Sequence, residues 1–108
     1  MSPTAREIIA AMPSYLQPAE AADMVADVQF KLTGQEPGNY YLHIENGQCT
    51  FNEGESANPR TTVHCASEVW IAIISGTLDP FQAFMQGKLQ MHGDLGLAMR
   101  LQRLFQVK

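Results

Sequence analysis

Three histidines, His43, His64 and His92, are the side chains best suited to chemistry in this sequence, because three imidazoles can hold a zinc ion. Each falls on the polar side of a stretch that alternates apolar and polar residues, so all three could share one sheet face. They lack the tight pairwise spacing of a metal motif, and polar residues on a sheet face are by default solvated. The expectation is a wet face without a metal. The seven Glu and four Asp residues scatter over turns, caps and solvent-side strand positions. No Gly-x-Ser-x-Gly elbow, phosphate loop or dinucleotide fingerprint is present. A nucleophile, a base or a metal would have to meet in one place for catalysis. The sequence therefore predicts a protein that is not an enzyme and needs no cofactor. Cys49 and Cys65 sit far apart in strand-like stretches and read as two reduced, buried small hydrophobes.

The elements that must position these residues form one domain spanning 1–108. Charged residues make up only 17% of the chain against 45% apolar, which leaves more apolar surface than usual and suits a ligand cavity. The net charge is −4 with seven Lys and Arg, so no basic face is available for nucleic acid. Arg100, Arg103 and Lys108 read as cations complementing a helix end. Neither a signal peptide over Met1–Met12 nor an apolar run of spanning length is seen, and the expected location is cytoplasmic.

Ser2-Pro3 reads as the start of a first helix carrying Ala5, Ile8, Ile9 and Met12, which Pro13 ends. A short second helix is expected from Ala19 to Met24. Val28, Phe30 and Leu32 alternate with Asp27, Gln29 and Lys31, predicting a strand whose polar side takes Gln29. Tyr40, Leu42 and Ile44 form the inner row of the next strand. Asn46-Gly47 is the hairpin turn into Cys49 and Phe51. Val63 and Cys65 mark a fourth strand. Ser67 to Ile74 reads as a helix capped by Ser67 and closed by Gly76. Asp79-Pro80 opens another, with Phe81, Phe84 and Met85 as its apolar side and Gly87 at its end. Leu89 and Met91 form a fifth strand, and Gly93-Asp94 caps a last helix to Val107. This order predicts an α+β fold, a five-stranded mixed sheet with helices covering one face.

The apolar rows define a candidate ligand-binding wall. From the sheet come Phe30, Leu32, Leu42, Ile44, Phe51, Val63, Leu89 and Met91. From the helix after the fourth strand come Trp70, Ile73 and Ile74. Phe81, Phe84 and Met85 follow after Asp79-Pro80, and the last helix adds Leu97, Leu101, Leu104 and Phe105. Every domain needs such a core, so periodicity alone reads these first as ordinary packing. Met12, Met85, Met91 and Met99 fall on or near the inner faces and suit an adaptable apolar surface.

The stretch Trp70-Ile71-Ala72-Ile73-Ile74-Ser75-Gly76-Thr77-Leu78-Asp79-Pro80 is followed by Ala83-Phe84-Met85-Gln86-Gly87-Lys88-Leu89, Gly93-Asp94, Leu97-Ala98 and Leu104-Phe105. Together these resemble the sterol carrier protein type 2 family: an aromatic-bearing helix, Gly-x-Leu-Asp-Pro, Ala-Phe-x-x-Gly-Lys-Leu, Gly-Asp and a Leu-rich helix. Met12-Pro13 to Pro18, Phe30-x-Leu32-x-Gly34, Tyr40 and Asn46-Gly47 extend the likeness over nearly the whole chain. The resemblance implies a hydrophobic tunnel between sheet and helices that holds a lipid without reacting with it. The implied cargo is a fatty acid, fatty acyl-CoA, phospholipid or sterol-like molecule. The alternative is an accessory subunit presenting an isoprenoid-quinone precursor to an enzyme. Partners are thus an apolar small molecule, with transient membrane or enzyme contact. Gln90, Gln102 and Arg103 are candidates for the polar mouth. Gln106-Val107-Lys108 is not a peroxisomal address, and with no fused enzyme in this sequence the stand-alone prokaryotic form is expected, for which sterol is a poor natural ligand.

Overall fold

The computed structural model describes residues 3–105, and the side chain of Gln102 lies outside that description. Thr4, rather than Ser2, starts the first helix, α1 (Ala5–Ala11). Its side chain accepts from the Glu7 backbone while the Glu7 carboxylate accepts from the Thr4 N–H, a reciprocal pair that satisfies two orphan donors. Ser2 itself lies outside the described residues, as does the end of the last helix at Val107. A tight helical turn over Met12–Tyr15 follows, bent by Pro13. The helix expected over 19–24 is instead a run of turns that buries Ala21 and Met24. Ala-rich composition misled here, because so short a segment cannot nucleate a helix by propensity alone.

Five strands follow: β1 (Ala26–Thr33), β2 (Gly38–Glu45), β3 (Gln48–Glu53), β4 (Thr61–Ala66) and β5 (Leu89–Gly93). The sheet order is β3-β2-β1-β4-β5, with β1 and β4 parallel and every other pair antiparallel. Asn46 and Gly47 both take positive φ, 56° and 73°, which matches the strand twist in a two-residue hairpin. Register aligns the apolar rows across the sheet. Phe51 faces Leu42, Leu42 faces Val28, Phe30 faces Val63, and Val63 faces Met91.

Between β4 and β5 lie α2 (Ser67–Ser75) and α3 (Pro80–Met85), and α4 (Leu95–Leu104) ends the described fold. Ala66, not Ser67, occupies the cap of α2. The Ser67 hydroxyl instead accepts the Glu36 N–H at 3.0 Å, tying the β1–β2 loop to this helix. Asp79 and Asp94 cap α3 and α4 as expected, accepting from the Gln82 and Leu97 N–H groups. Gly93 has φ 91°, and a methyl group there would sit 2.5 Å from the Arg60 carbonyl oxygen, so only glycine lets β5 pass the start of β4. Two contacts latch α4 to the N-terminal segment. The Gln17 N–H donates to the Leu104 carbonyl at 2.7 Å, and the Arg100 guanidinium donates to the Glu20 carbonyl at 2.7 Å.

Gln29 departs from the expected alternation. It is buried on the predicted polar side, where its amide donates to the Tyr40 and Gly54 carbonyls at 3.0 Å each and accepts the Ser56 N–H at 2.7 Å. The loop after β3 folds over it. A glutamine with donors and an acceptor serves a loop backbone that carries both.

Candidate functional site

The predicted wall divides into two parts. Phe30, Leu42, Ile44, Val63, Leu89 and Leu104 are buried to within 1% of complete enclosure, and Leu32, Trp70, Leu97 and Leu101 are nearly so. Phe51, Ile73, Met91 and Phe105 are half-buried against them. The rest stand in water: Ile74 and Phe84 are each 46% exposed, and Phe81 and Met85 each 69%. A six-residue helix can turn little of its surface inward. In α3 the fully buried position is Ala83, whose small side chain lets the helix sit close to its neighbours. The expectation that Phe81, Phe84 and Met85 face the core is corrected accordingly. Met99 is likewise 79% exposed on α4, whereas Met12 and Met24 are buried.

Trp70 belongs to the enclosed part. Its ring meets Phe30 edge-on with centroids 5.1 Å apart, and the indole is almost completely enclosed. Its Nε1–H has no hydrogen-bond partner. On the opposite edge, Tyr40 and Phe51 stack with centroids 5.7 Å apart, and the Arg6 guanidinium lies 5.3 Å over the Phe51 ring while pairing with Glu53.

Two clefts lie elsewhere. One of about 600 Å³ is bordered by Glu20, Asp23, Met24, Arg60, Asp94 and Arg100, and shares only Leu97 with the predicted wall. Arg60 lies 3.4 Å from the Asp94 carboxylate there. The other, about 370 Å³, lies on the outer sheet face between Lys31, Thr62, His64, Gln90 and His92. Gln90 therefore faces away from the helices and leaves the set of mouth candidates. Arg103 is exposed in the last turn of α4, and the Gln102 side chain is outside the described residues.

The histidines do not converge. His43 is held by a carboxylate on the adjacent strand and one on its own, with Nδ1 2.5 Å from Asp27 and Nε2 2.9 Å from Glu45. The Glu45 and Asp27 carboxylates raise its pKa above the ordinary 6.5. His64 and His92 sit two and three strands away in the outer groove. Among the described residues, no three His, Cys, Asp or Glu side chains are grouped to hold a metal. Burial pushes the thiols of Cys49 and Cys65 up to about 12 and about 11, and both cysteines are free. Neither is a nucleophile at neutral pH.

The profile of the SCP-2 sterol transfer family matches residues 7–106. The chain belongs to that family. A hydroxysteroid dehydrogenase-like protein 2 from Xenopus tropicalis is 38% identical over 77 residues, 70% of this chain but 18% of that protein. This SCP-2 chain thus matches a small part of the curated relatives. Sterol carrier protein 2 from Aedes aegypti, solved in complex with palmitate, is 22% identical, with a TM-score of 0.76 over 98% of this chain and 97% of that one. A sec-alkylsulfatase from Pseudomonas sp. contains a similar unit, with a TM-score of 0.84 and 18% identity over 98% of this chain and 17% of the sulfatase. A ubiquinone synthesis protein, UbiJ-SCP2, aligns with a TM-score of 0.69 at 14% identity, covering 93% of this chain and 90% of that one. At these identities the structural likeness establishes the SCP-2 fold. Among the described residues no helix is long and apolar enough to cross a membrane.

Proposed function

We propose that this chain binds an apolar lipid in the seam between the inner sheet face and helices α2, α3 and α4, and moves it without chemical change. The observation that carries this reading is the exposed apolar group Ile74, Phe81, Phe84 and Met85 beside a fully enclosed apolar sheet face. Among the described residues, four of the eight exposed large apolar side chains fall in the stretch 74–85, and clustered exposed apolar residues mark an interaction site. A lipid methylene taken out of water gains about 0.8 kcal/mol, so an acyl chain needs no covalent capture to bind. The wall is Phe30, Leu32, Leu42, Ile44, Phe51, Val63, Leu89 and Met91 below, with Trp70, Ile73, Leu97, Leu101, Leu104 and Phe105 above. The exposed four on α2 and α3 form its rim. Fatty acids, fatty acyl-CoA, phospholipids and sterol-like molecules fit such a site, and family membership together with a palmitate-bound relative of the same fold supports the choice. The setting is cytoplasmic.

Native mass spectrometry of the protein purified from cells, combined with displacement of a fluorescent fatty acid, tests this. Co-purified lipid and saturable displacement at micromolar concentrations are expected. Finding neither would overturn the carrier reading. A second reading, lipid presentation to a partner enzyme of isoprenoid-quinone synthesis, is favoured by the same exposed rim, which could dock a protein as well as shield a chain, and by the UbiJ-SCP2 likeness. Recovery of a methyltransferase or hydroxylase in a pull-down that Phe81→Ser abolishes would favour it over free transfer.

A further inference from the structure

We infer that the indole N–H of Trp70 is the acceptor-reading element of this lipid site, and that the preferred ligand carries an uncharged oxygen, such as an ester carbonyl, ketone or hydroxyl, along its buried part. This rests on the lipid-binding reading above. Native interiors pair nearly all of their buried donors, and one left alone carries an uncompensated desolvation cost. Trp70 is only 6% exposed, and its Nε1–H is the sole buried side-chain polar atom among the described residues with no partner. Phenylalanine would fill the same place against Phe30 without that cost, since the edge-on contact at 5.1 Å needs only a ring. Enclosed water is a poor substitute, because it needs two to four polar partners. The ring that meets this indole, Phe30, offers no acceptor in its side chain. A bound ligand with an oxygen at this depth supplies the missing acceptor.

The chemistry also sets the charge of that oxygen. A single neutral N–H cannot carry an ionised carboxylate out of water, because an isolated buried charge costs several kcal/mol unless a cation meets it. A free fatty acid would then keep its carboxylate outside and leave Trp70 unpaired. An ester, ketone or alcohol can bring its oxygen inside. Trp70 acts here as a donor only, so a ligand with donors and no acceptor gains nothing.

The chain has one tryptophan, so its indole gives a single reporter signal. The test uses four probes of equal chain length: a sixteen-carbon alkane, its methyl ketone, its methyl ester and the free acid. Each is delivered from cyclodextrin and read by displacement of a fluorescent lipid analogue. The ketone or ester is expected to bind about tenfold more tightly than the alkane, and Trp70→Phe to bring the ketone-to-alkane affinity ratio to about one. In the unaltered protein, the indole N–H proton resonance should move downfield with ketone or ester and stay in place with alkane. That measurement needs no variant, so it decides the matter even if Trp70→Phe fails to fold. Equal affinity for all four probes with an unmoved indole resonance would overturn the anchor and leave the carrier standing. Equal loss for alkane and ketone in Trp70→Phe would reduce Trp70 to packing. Failure of every probe to bind would remove the carrier reading, and the anchor with it.

Discussion

The sheet floor and the α2–α3 roof carry the same kind of apolar residue, and water treats them differently. Phe30, Leu42 and Val63 are fully enclosed, while Phe81, Phe84 and Met85 are about half exposed or more. Burial of the floor stabilises the fold. Exposure of the roof contributes nothing to an isolated chain and is best understood through what it meets. Apolar content alone therefore does not separate packing from binding, and the difference lies in whether the chain itself provides a cover.

The sharpest way to break this contrast is to truncate the floor. Phe30→Ala should lower unfolding free energy by about 3–5 kcal/mol, since it opens a cavity under Trp70 that the sheet cannot collapse into. Urea denaturation measures this, and a loss below about 1 kcal/mol would show that the floor is already loosely packed. Next comes the loop anchor. Gln29→Leu removes the hydrogen bonds to the Tyr40 and Gly54 carbonyls and from the Ser56 N–H, and should cost about 2–3 kcal/mol in the same assay. On the roof, Phe84→Ala should change stability by less than about 1 kcal/mol yet weaken fluorescent-lipid binding several-fold. Unchanged affinity in the folded variant would take Phe84 out of the rim.

The smallest effect belongs to His43, which lies outside both regions. Its raised pKa means that the protonated ring is favoured by folding beside Glu45 and Asp27. The linked stability is complete below about pH 6.5, the unfolded value, and is lost as pH rises through the higher folded value. Asp27 is itself held by the Ser56 hydroxyl at 2.5 Å, so the carboxylate stays in place as the ring titrates. With its side chain 40% exposed, His43 should contribute only a slight downward slope in stability above about pH 6.5, absent in His43→Gln. A rise in stability over the same interval would reverse the assignment.

Strand periodicity made the sheet legible. Alternation in Val28, Phe30 and Leu32 found the inner face, Asn46-Gly47 found the hairpin, and Asp79-Pro80 and Gly93-Asp94 found two helix starts. The Gly-x-Leu-Asp-Pro to Gly-Asp stretch made the family legible too. Four things were not readable, each for a physical reason. Gln29 is polar in a polar position, and only the later loop at Gly54–Ser56 buries it. The segment after Pro18 has helix-forming residues but too few to sustain a helix, so tertiary contacts set its shape. In α3, three large apolar side chains outweighed Ala83 in the pattern, although the alanine is the position that touches the core. Its place in Ala-Phe-x-x-Gly-Lys-Leu was the available signal. Trp70 was found as a wall residue, but its orphan N–H depends on neighbours brought from β1 and cannot be read along the chain.

Burial of the two thiols has a practical consequence. Cys49 lies on the edge strand β3 and Cys65 on interior strand β4, and with their acidity suppressed both are sluggish toward alkylating reagents while the sheet stays closed. Buried Cys65 then reacts when β4 parts from its neighbours and half-buried Cys49 sooner, so the two modification rates, read by mass, compare opening at the middle and at the rim of the sheet.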